Sequence, residues 1–351
     1  MSNLFGETWK FAHLWNESLL DREEREVKPR DYLWASELGK SYIDIYLKMK
    51  GEVMTNPPNP RSLRKFEAGN IWEWLVGLIL KRAGLFVGEQ EYLRFAIEPG
   101  LLEVSGKADF IAGGVADFKA HKESLKDLDL PEVFLRATKN IIESLEKESN
   151  GELEKKILEI KSVSSFMFDS IENSNKSSKI HRLQLYHYLA SSGIERGNVV
   201  YICKDDCRMI EIPVNLNDKA VKEEYTSFIK GMTYYIKNDI QPPLEDLIVW
   251  DKDFGKFSTN FNVSYSGYLT KLYGFSDQME YEDQFRPITE SWNRVIGRIK
   301  SNKPMTKNNE EKLKEMKEMG FELDIIPEVV RNEETGEEDI FNRVEVIYKP
   351  V

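Results

Sequence analysis

Apolar residues recur at helical spacing in "LRKFEAGNIWEWLVGLILKRAGL", residues 63–85, and predict a long helix that closes at Gly84. The segment "NPPNPRS" before it is a clear break. Upstream, "DYLWASELGKSYIDIYLKMKGE" carries the same period and predicts a helix capped at Ser36, with Glu37 following. After Gly84 the pattern turns strand-like. "LRFAIEP", "LLEVSGKADFIAGG" and "VADFKAH" read as strands, with Gly113-Gly114 as a turn. "LPEVFLRATKNIIESLEKESNG" predicts a helix with Pro131 near its first turn and Gly151 beyond its end.

Next comes "KKILEIKSVS", a β-branched, apolar run interrupted by Glu159 and Lys161. Side chains at i and i+2 of a strand share a face, roughly 6–7 Å apart. The two charges therefore face one way, while Leu158 and Ile160 face the other. The chain continues with a helix ("KIHRLQLYHYLASSG"), a hairpin around Asp205-Asp206 and a further helix ("KAVKEEYTSFIKGMTYYIKND"). The last sixty-odd residues alternate a lysine-rich helix with strand-like pieces and read as a small separate unit.

Composition changes this picture little. At 351 residues, 41% apolar and 31% charged, the chain can bury a substantial core and resembles an ordinary soluble protein. No apolar run reaches the roughly 18 residues of a membrane helix, and the first residues lack the pattern of a secretory signal. Two cysteines point to a reducing compartment, so the expected location is cytoplasmic, or the host cytoplasm for a viral protein. The net charge of −11 is mild evidence against a nucleic-acid partner, since phosphate binding depends on local basic surface.

The acidic residues then suggest a site. Asp109 lies in the strand "SGKADFIA", and pairing would let it face Glu159 across a sheet. Glu73, four residues after Gly69 on the long helix, could join from one end. Three carboxylates beside Lys161 would repel unless a cation sat among them, and hard oxygen ligands suit Mg²⁺ or Mn²⁺.

In this order, "GNIWE" (residues 69–73), "GKADF" (106–110), "EIK" (159–161) and "QLYHY" (184–188) resemble the PD-(D/E)XK nuclease superfamily, specifically its RecB-like branch, with CRISPR-adaptation and phage-type exonucleases. An E-x-K tripeptide alone is worthless; preceded by apolar residues and followed by Q-x-x-x-Y on a helix, it becomes specific. The resemblance implies an α/β, restriction-endonuclease-like core with a central mixed sheet flanked by helices. It implies that Glu73, Asp109 and Glu159, with the carbonyl of Ile160, hold Mg²⁺ or Mn²⁺. Lys161 would act on the attacking water, while Gln184 and Tyr188 would bind substrate or support the ligands. Two departures stand out. Many RecB-like members carry His where this chain has Glu73, and iron–sulfur members need four cysteines where this chain has Cys203 and Cys207, so no cluster is expected.

The expected organisation is a helical N-terminal segment over 1–66, the nuclease core over 67–245 with a helical insertion over 121–152, and a C-terminal accessory region over 246–351. The insertion could guide DNA or be decoration. The expected activity is metal-dependent hydrolysis of DNA, exonucleolytic, in recombination, repair or viral DNA processing, with recombination or replication proteins as possible partners and no membrane. The alternatives are an inactive nuclease-fold DNA-binding or assembly module and a structural interaction protein. Each residue also has a plainer reading. Glu159 and Lys161 could be a solvated surface pair, Glu67 could replace Glu73, Asp109 could flank a turn, and Gln184 and Tyr188 could be ordinary helix residues. His181 and His187 read as packing or surface residues. Asp117 and Lys119 in "ADFKA" form a rival i, i+2 pair.

Overall fold

The computed structural model describes residues 11–20, 28–115, 118–125, 131–149, 152–252, 255–331 and 338–349. The chain divides into two compact units, Met1–Val53 with Pro58–Pro242, and Met54–Pro57 with Pro243–Val351.

The first unit opens with helix α1 (Phe11–Leu20), strand β1 (Tyr32–Trp34), a 3-10 turn (Ala35–Glu37) and helix α2 (Tyr42–Met49). The helix expected from Ser36 therefore starts later, after a strand. Burial across Tyr32, Leu33 and Trp34 follows a period of two, with Leu33 fully buried, and the three residues pair in parallel with Glu103, Val104 and Ser105. Gly39, at φ 81, separates the 3-10 turn from α2, a backbone state costly for a residue with a Cβ.

The long helix α3 (Pro60–Ala83) follows. Asn59 caps it by accepting from the Ser62 N–H at 2.9 Å, and Gly84 ends it in the left-handed region, as the sequence predicted. Strands β2 (Phe86–Phe95) and β3 (Glu103–Val115) come next, then α4 (Phe118–Ser124), α5 (Glu132–Glu148) and β4 (Glu152–Val163). After these lie α6 (Ser165–Ser174), α7 (Lys179–Ser192), β5 (Arg196–Cys203), β6 (Met209–Asn215) and α8 (Lys219–Lys237).

Two local expectations are corrected here. Gly113-Gly114 is a bulge within β3 rather than a turn: the β3–β4 register shifts between Ala112 and Gly114, and a Cβ on Gly113 would lie 2.3 Å from the Glu154 carbonyl oxygen. The expected strand "VADFKAH" is in its described part the end of β3 and the start of α4. Phe118 and Leu125 are seven residues apart and pack with Ala83 and Ile142, which favours a helix. Asp117 of the rival pair lies outside the described residues, and Lys119 is an exposed helix residue.

The sheet is mixed and runs β1-β3-β4-β5-β6, with β2 on the other edge of β3. β2–β3, β3–β4 and β5–β6 are antiparallel, whereas β4–β5 is parallel, its crossover made by α6 and α7. The fold is thus α/β, a central mixed sheet flanked by helices. α3 packs on one face through Leu80 against Phe110, Ala112, Ile160, Val200 and Ile202. Gly77 makes this possible, because a Cβ there would lie 2.7 Å from the Phe110 ring. On β3, β1 pairs at residues 103–105 and β4 only from Phe110 onward, which leaves residues 106–109 unpaired on that edge.

The second unit contains a small hairpin of β7 (Ile248–Asp251) and β8 (Lys256–Thr259), then helices α9 (Phe261–Ser264), α10 (Leu269–Tyr273), α11 (Gln278–Lys300) and α12 (Lys307–Glu318). It ends in the antiparallel pair β9 (Phe321–Arg331) and β10 (Glu338–Tyr348). Its core is aromatic: the rings of Phe257, Trp292 and Phe321 meet edge to face, with centroids 5.0–5.8 Å apart. No helix among the described residues is long and apolar enough to cross a membrane.

Candidate active site

Strand β4 alternates as its sequence predicts. Ile160 joins the apolar cluster beneath α3, and the alternation turns Glu159 and Lys161 to the opposite face. Glu159 is 0% exposed, which removes the reading of a solvated surface pair. Lys161 Nζ lies 2.5 Å from Glu159 Oε1 and keeps 23% of its side chain in contact with solvent. The second carboxylate oxygen, Glu159 Oε2, is buried without a hydrogen-bond partner. A buried ionised oxygen left unpaired is costly.

Asp109 sits where β3 and β4 part. The ladder ends at Phe110↔Leu158, and beyond it Asp109 Oδ2 accepts a hydrogen bond from the Ile160 N–H at 2.8 Å. The carboxylate thus replaces a strand as partner for the β4 backbone. Burial, and then the charge of Glu159, push the Asp109 carboxyl up to about 7, against the pull of Lys161 and the Ile160 N–H. Burial likewise raises Glu159, opposed by Lys161. Burial would lower the Lys161 ammonium, but Glu159 and Asp109 outweigh it and its pKa rises.

Glu73 approaches from α3. Two turns of that helix bracket it: Gly69 lies over Ser162, with 3.7 Å from a built Cβ to Oγ, and Gly77 lies on Phe110. Burial and the Asp109 charge raise the Glu73 carboxyl, while a hydrogen bond from Gln90 and the Lys161 charge lower it. Glu73, one of the two helix acids weighed from sequence, feels the charges of Asp109 and Lys161.

Gln90 is a residue the sequence reading missed. It lies on β2 between Glu89 and Glu91, which pair with Phe110 and Ala108, so it stands across from Asp109. Its φ is 51, left-handed for a residue with a side chain, and its Nε2 donates to Glu73 Oε1 at 2.5 Å. Nothing in a lone glutamine within "VGEQEYL" signals this; the strained backbone shows only in the fold.

Gln184 and Tyr188 lie one turn apart on α7, both buried, with Gln184 Nε2 donating to the Tyr188 hydroxyl at 3.0 Å. The Tyr188 ring packs on the unpaired stretch of β3, since a Cβ on Gly106 would be 2.8 Å from it. Burial, then the charge of Glu159, raise the Tyr188 hydroxyl. His181 and His187 each have a tyrosine partner, Tyr201 at 3.0 Å and Tyr225 at 2.9 Å. Burial, with Lys161 and Lys40 nearby, lowers His181 to about 3. Cys203 and Cys207 are free thiols, the first buried and the second exposed.

Among the described residues, no three His, Cys, Asp or Glu side chains gather closely enough to hold a metal ion as they stand. The donor chemistry nonetheless fits a hard cation: two neighbouring, buried carboxylates, one with an unpartnered oxygen, and a third acid within electrostatic reach.

No protein-family model matches this chain, and no curated protein matches it either. Among solved structures it is similar to SSO0001, with TM-score 0.38 and 14% identity over 63% of this chain and 86% of that one. It is similar to LHK-Exo in complex with dAMP, with TM-score 0.35 and 12% identity over 65% of this chain and 97% of that one. A further structure of the alkaline exonuclease LHK-Exo, from Laribacter hongkongensis, gives TM-score 0.29 at 12% identity, with the same coverage.

Proposed function

We propose that this chain is a Mg²⁺- or Mn²⁺-dependent deoxyribonuclease of the PD-(D/E)XK type, acting as an exonuclease. The observation that carries the reading is the pairing of a buried Glu159, one oxygen on Lys161 and the other without a hydrogen-bond partner, with an Asp109 whose carboxyl is raised by burial and then by the Glu159 charge. A surface ion pair needs no such burial, and a structural buried pair would satisfy both oxygens.

Glu73, Asp109 and Glu159, with the Ile160 carbonyl, would hold the ion. A divalent cation supplies acidified water and neutralises charge on the phosphoryl group. The chain's own residues do the rest. Lys161 presents a protonated ammonium, partly open to solvent, to orient the attacking water and offset charge developing on the scissile phosphate. The Ile160 N–H fixes one oxygen of Asp109, so that the other is free to turn toward a ligand. Gln90 holds Glu73 by one oxygen in the same way. Tyr188, oriented by Gln184, supports the unpaired stretch of β3 that carries Asp109.

The test is digestion of DNA labelled at either end, linear against circular, with Mg²⁺, Mn²⁺ or EDTA. Metal-dependent loss of linear DNA alone supports an exonuclease; cleavage of circles makes it an endonuclease. A second reading, an inactive nuclease-fold DNA-binding module, draws on the tight pairing of Lys161 with Glu159 and of Gln90 with Glu73. Binding without metal-dependent cleavage would establish that reading.

A further inference from the structure

Strand β5 runs parallel to β4 in a register that sets Tyr201 beside Lys161. Paired residues of neighbouring strands share a face, so the Tyr201 side chain lies on the side of the sheet that carries Glu159 and Lys161. Tyr201 is fully buried, and its hydroxyl reaches the start of α7, where it meets two groups. It accepts from the Ser178 N–H at 3.1 Å and lies 3.0 Å from His181 Nδ1.

This network assigns the proton of His181. A buried hydroxyl must place its own proton. With the Ser178 N–H already donating to it, the acceptor it has among the described residues is His181 Nδ1. Nδ1 is therefore the bare nitrogen, and the neutral ring carries its proton on Nε2. Burial and the charges of Lys161 and Lys40 lower the ring's pKa to about 3, which keeps it neutral. With Nδ1 occupied and Nε2 protonated, His181 is a fixed N–H donor and not a base. Among the described residues Nε2 makes no hydrogen bond. His181 is half-buried, and its Nε2, unlike that of His187, is not sealed from solvent, so a ligand can reach it. The two charges acting on the ring are both ammoniums. A neutral donor in the field of two cations suits an anionic acceptor.

Resting on the nuclease reading, we propose that His181 contacts the substrate, its Nε2–H donating to a non-bridging oxygen of the scissile phosphate beside the Lys161 ammonium. Lys161 supplies charge and His181 supplies direction, because an ammonium rotates its three donors while a ring N–H points one way. Ser178 and Tyr201 act through His181 as positioning residues, fixing its tautomer and its ring.

The tautomer is read in the full, unaltered chain by ¹⁵N-resolved NMR of the histidine rings at pH 7 in EDTA, with His181 assigned by its loss in His181→Gln. A protonated Nε2 and a bare Nδ1 are expected; a proton on Nδ1 overturns the proposal. The contact is read by single-turnover cleavage of linear duplexes carrying an Rp or Sp phosphorothioate at the terminal linkage of either end, in Mn²⁺, which accepts sulfur more readily than Mg²⁺. His181→Phe is expected to slow the all-oxygen duplex about tenfold, the worth of one hydrogen bond to a charged group. It should also shrink the penalty for sulfur by a similar factor in one diastereomer and leave the other unchanged, whereas a purely structural role would slow both alike. His181→Gln, whose amide N–H can stand in for Nε2–H, should keep most of the rate. The proposal alone is overturned if the unaltered chain cleaves while His181→Phe cleaves equally fast, if both sulfur penalties stay as they were, or if His181→Gln loses as much rate as His181→Phe. If the unaltered chain cleaves no DNA with Mg²⁺ or Mn²⁺, the nuclease reading fails and this proposal falls with it.

Discussion

Asp109 takes the Ile160 N–H at 2.8 Å one residue beyond the last β3–β4 pair, so that a carboxylate, and not a strand, closes the end of the sheet. This contact brings the acid of one strand into the charge field of Glu159 and Lys161 on the next. It also ties the site to the stability of the sheet.

That coupling gives Asp109→Asn two signatures. Cleavage should fall by about 10²-fold or more. The metal-free fold should become less sensitive to alkali. The Asp109 carboxyl is raised to about 7 in the folded chain, against about 4 when unfolded. Between those values the folded state binds a proton that the unfolded state has lost, so stability falls as pH rises through the window. Melting temperatures at pH 5 and pH 8 in EDTA should differ more for the unaltered chain than for the variant. Mg²⁺ should raise the melting point of the former only.

Lys161→Ala should separate binding from chemistry. Single-turnover cleavage at saturating Mg²⁺ is expected to drop about 10²-fold, with DNA affinity in Ca²⁺ unchanged. The metal-free variant should also lose about 3–5 kcal/mol of stability, because Glu159 is fully buried and keeps no counter-charge. An unaltered rate would remove Lys161 from the chemistry.

Gln90→Gly relieves the left-handed backbone but deletes the hydrogen bond that lowers the Glu73 carboxyl. The variant should fold normally, and the acid limb of its cleavage rate against pH should move to higher pH. A profile superimposed on that of the unaltered chain would show that Glu73 does not titrate in the reaction.

His187 contributes to stability on the acid side, as the still lower His181 does. Burial lowers its pKa to about 4, from an unfolded value near 6.5. The depressed value means that the folded state stays neutral while the unfolded chain takes up a proton. The contribution is fully present above pH 6.5 and lost as pH falls toward 4. His187→Gln, which keeps a polar group for Tyr225, should flatten the urea-measured stability between pH 6.5 and 4 by roughly 1 kcal/mol per pH unit. A slope identical to that of the unaltered chain would count against this assignment.

Local signals made much of the scaffold legible. Gly84 ends α3, Gly193 follows α7, and Asp205-Asp206 mark the turn of the β5–β6 hairpin, because helical period and turn residues act over a few positions. The i, i+2 spacing of Glu159 and Lys161 likewise determined by itself that they share a face. What required the folded chain were contacts between distant segments. β1 exists because Glu103, Val104 and Ser105 offer it a free edge, and Gly113-Gly114 is a bulge because Glu154 presses on it. The left-handed Gln90, the Asp109–Ile160 bond and the unpartnered Glu159 Oε2 arise the same way. Each depends on which groups are buried together and which are left without partners. Burial is a property of the assembled core, and no local stretch of sequence encodes it.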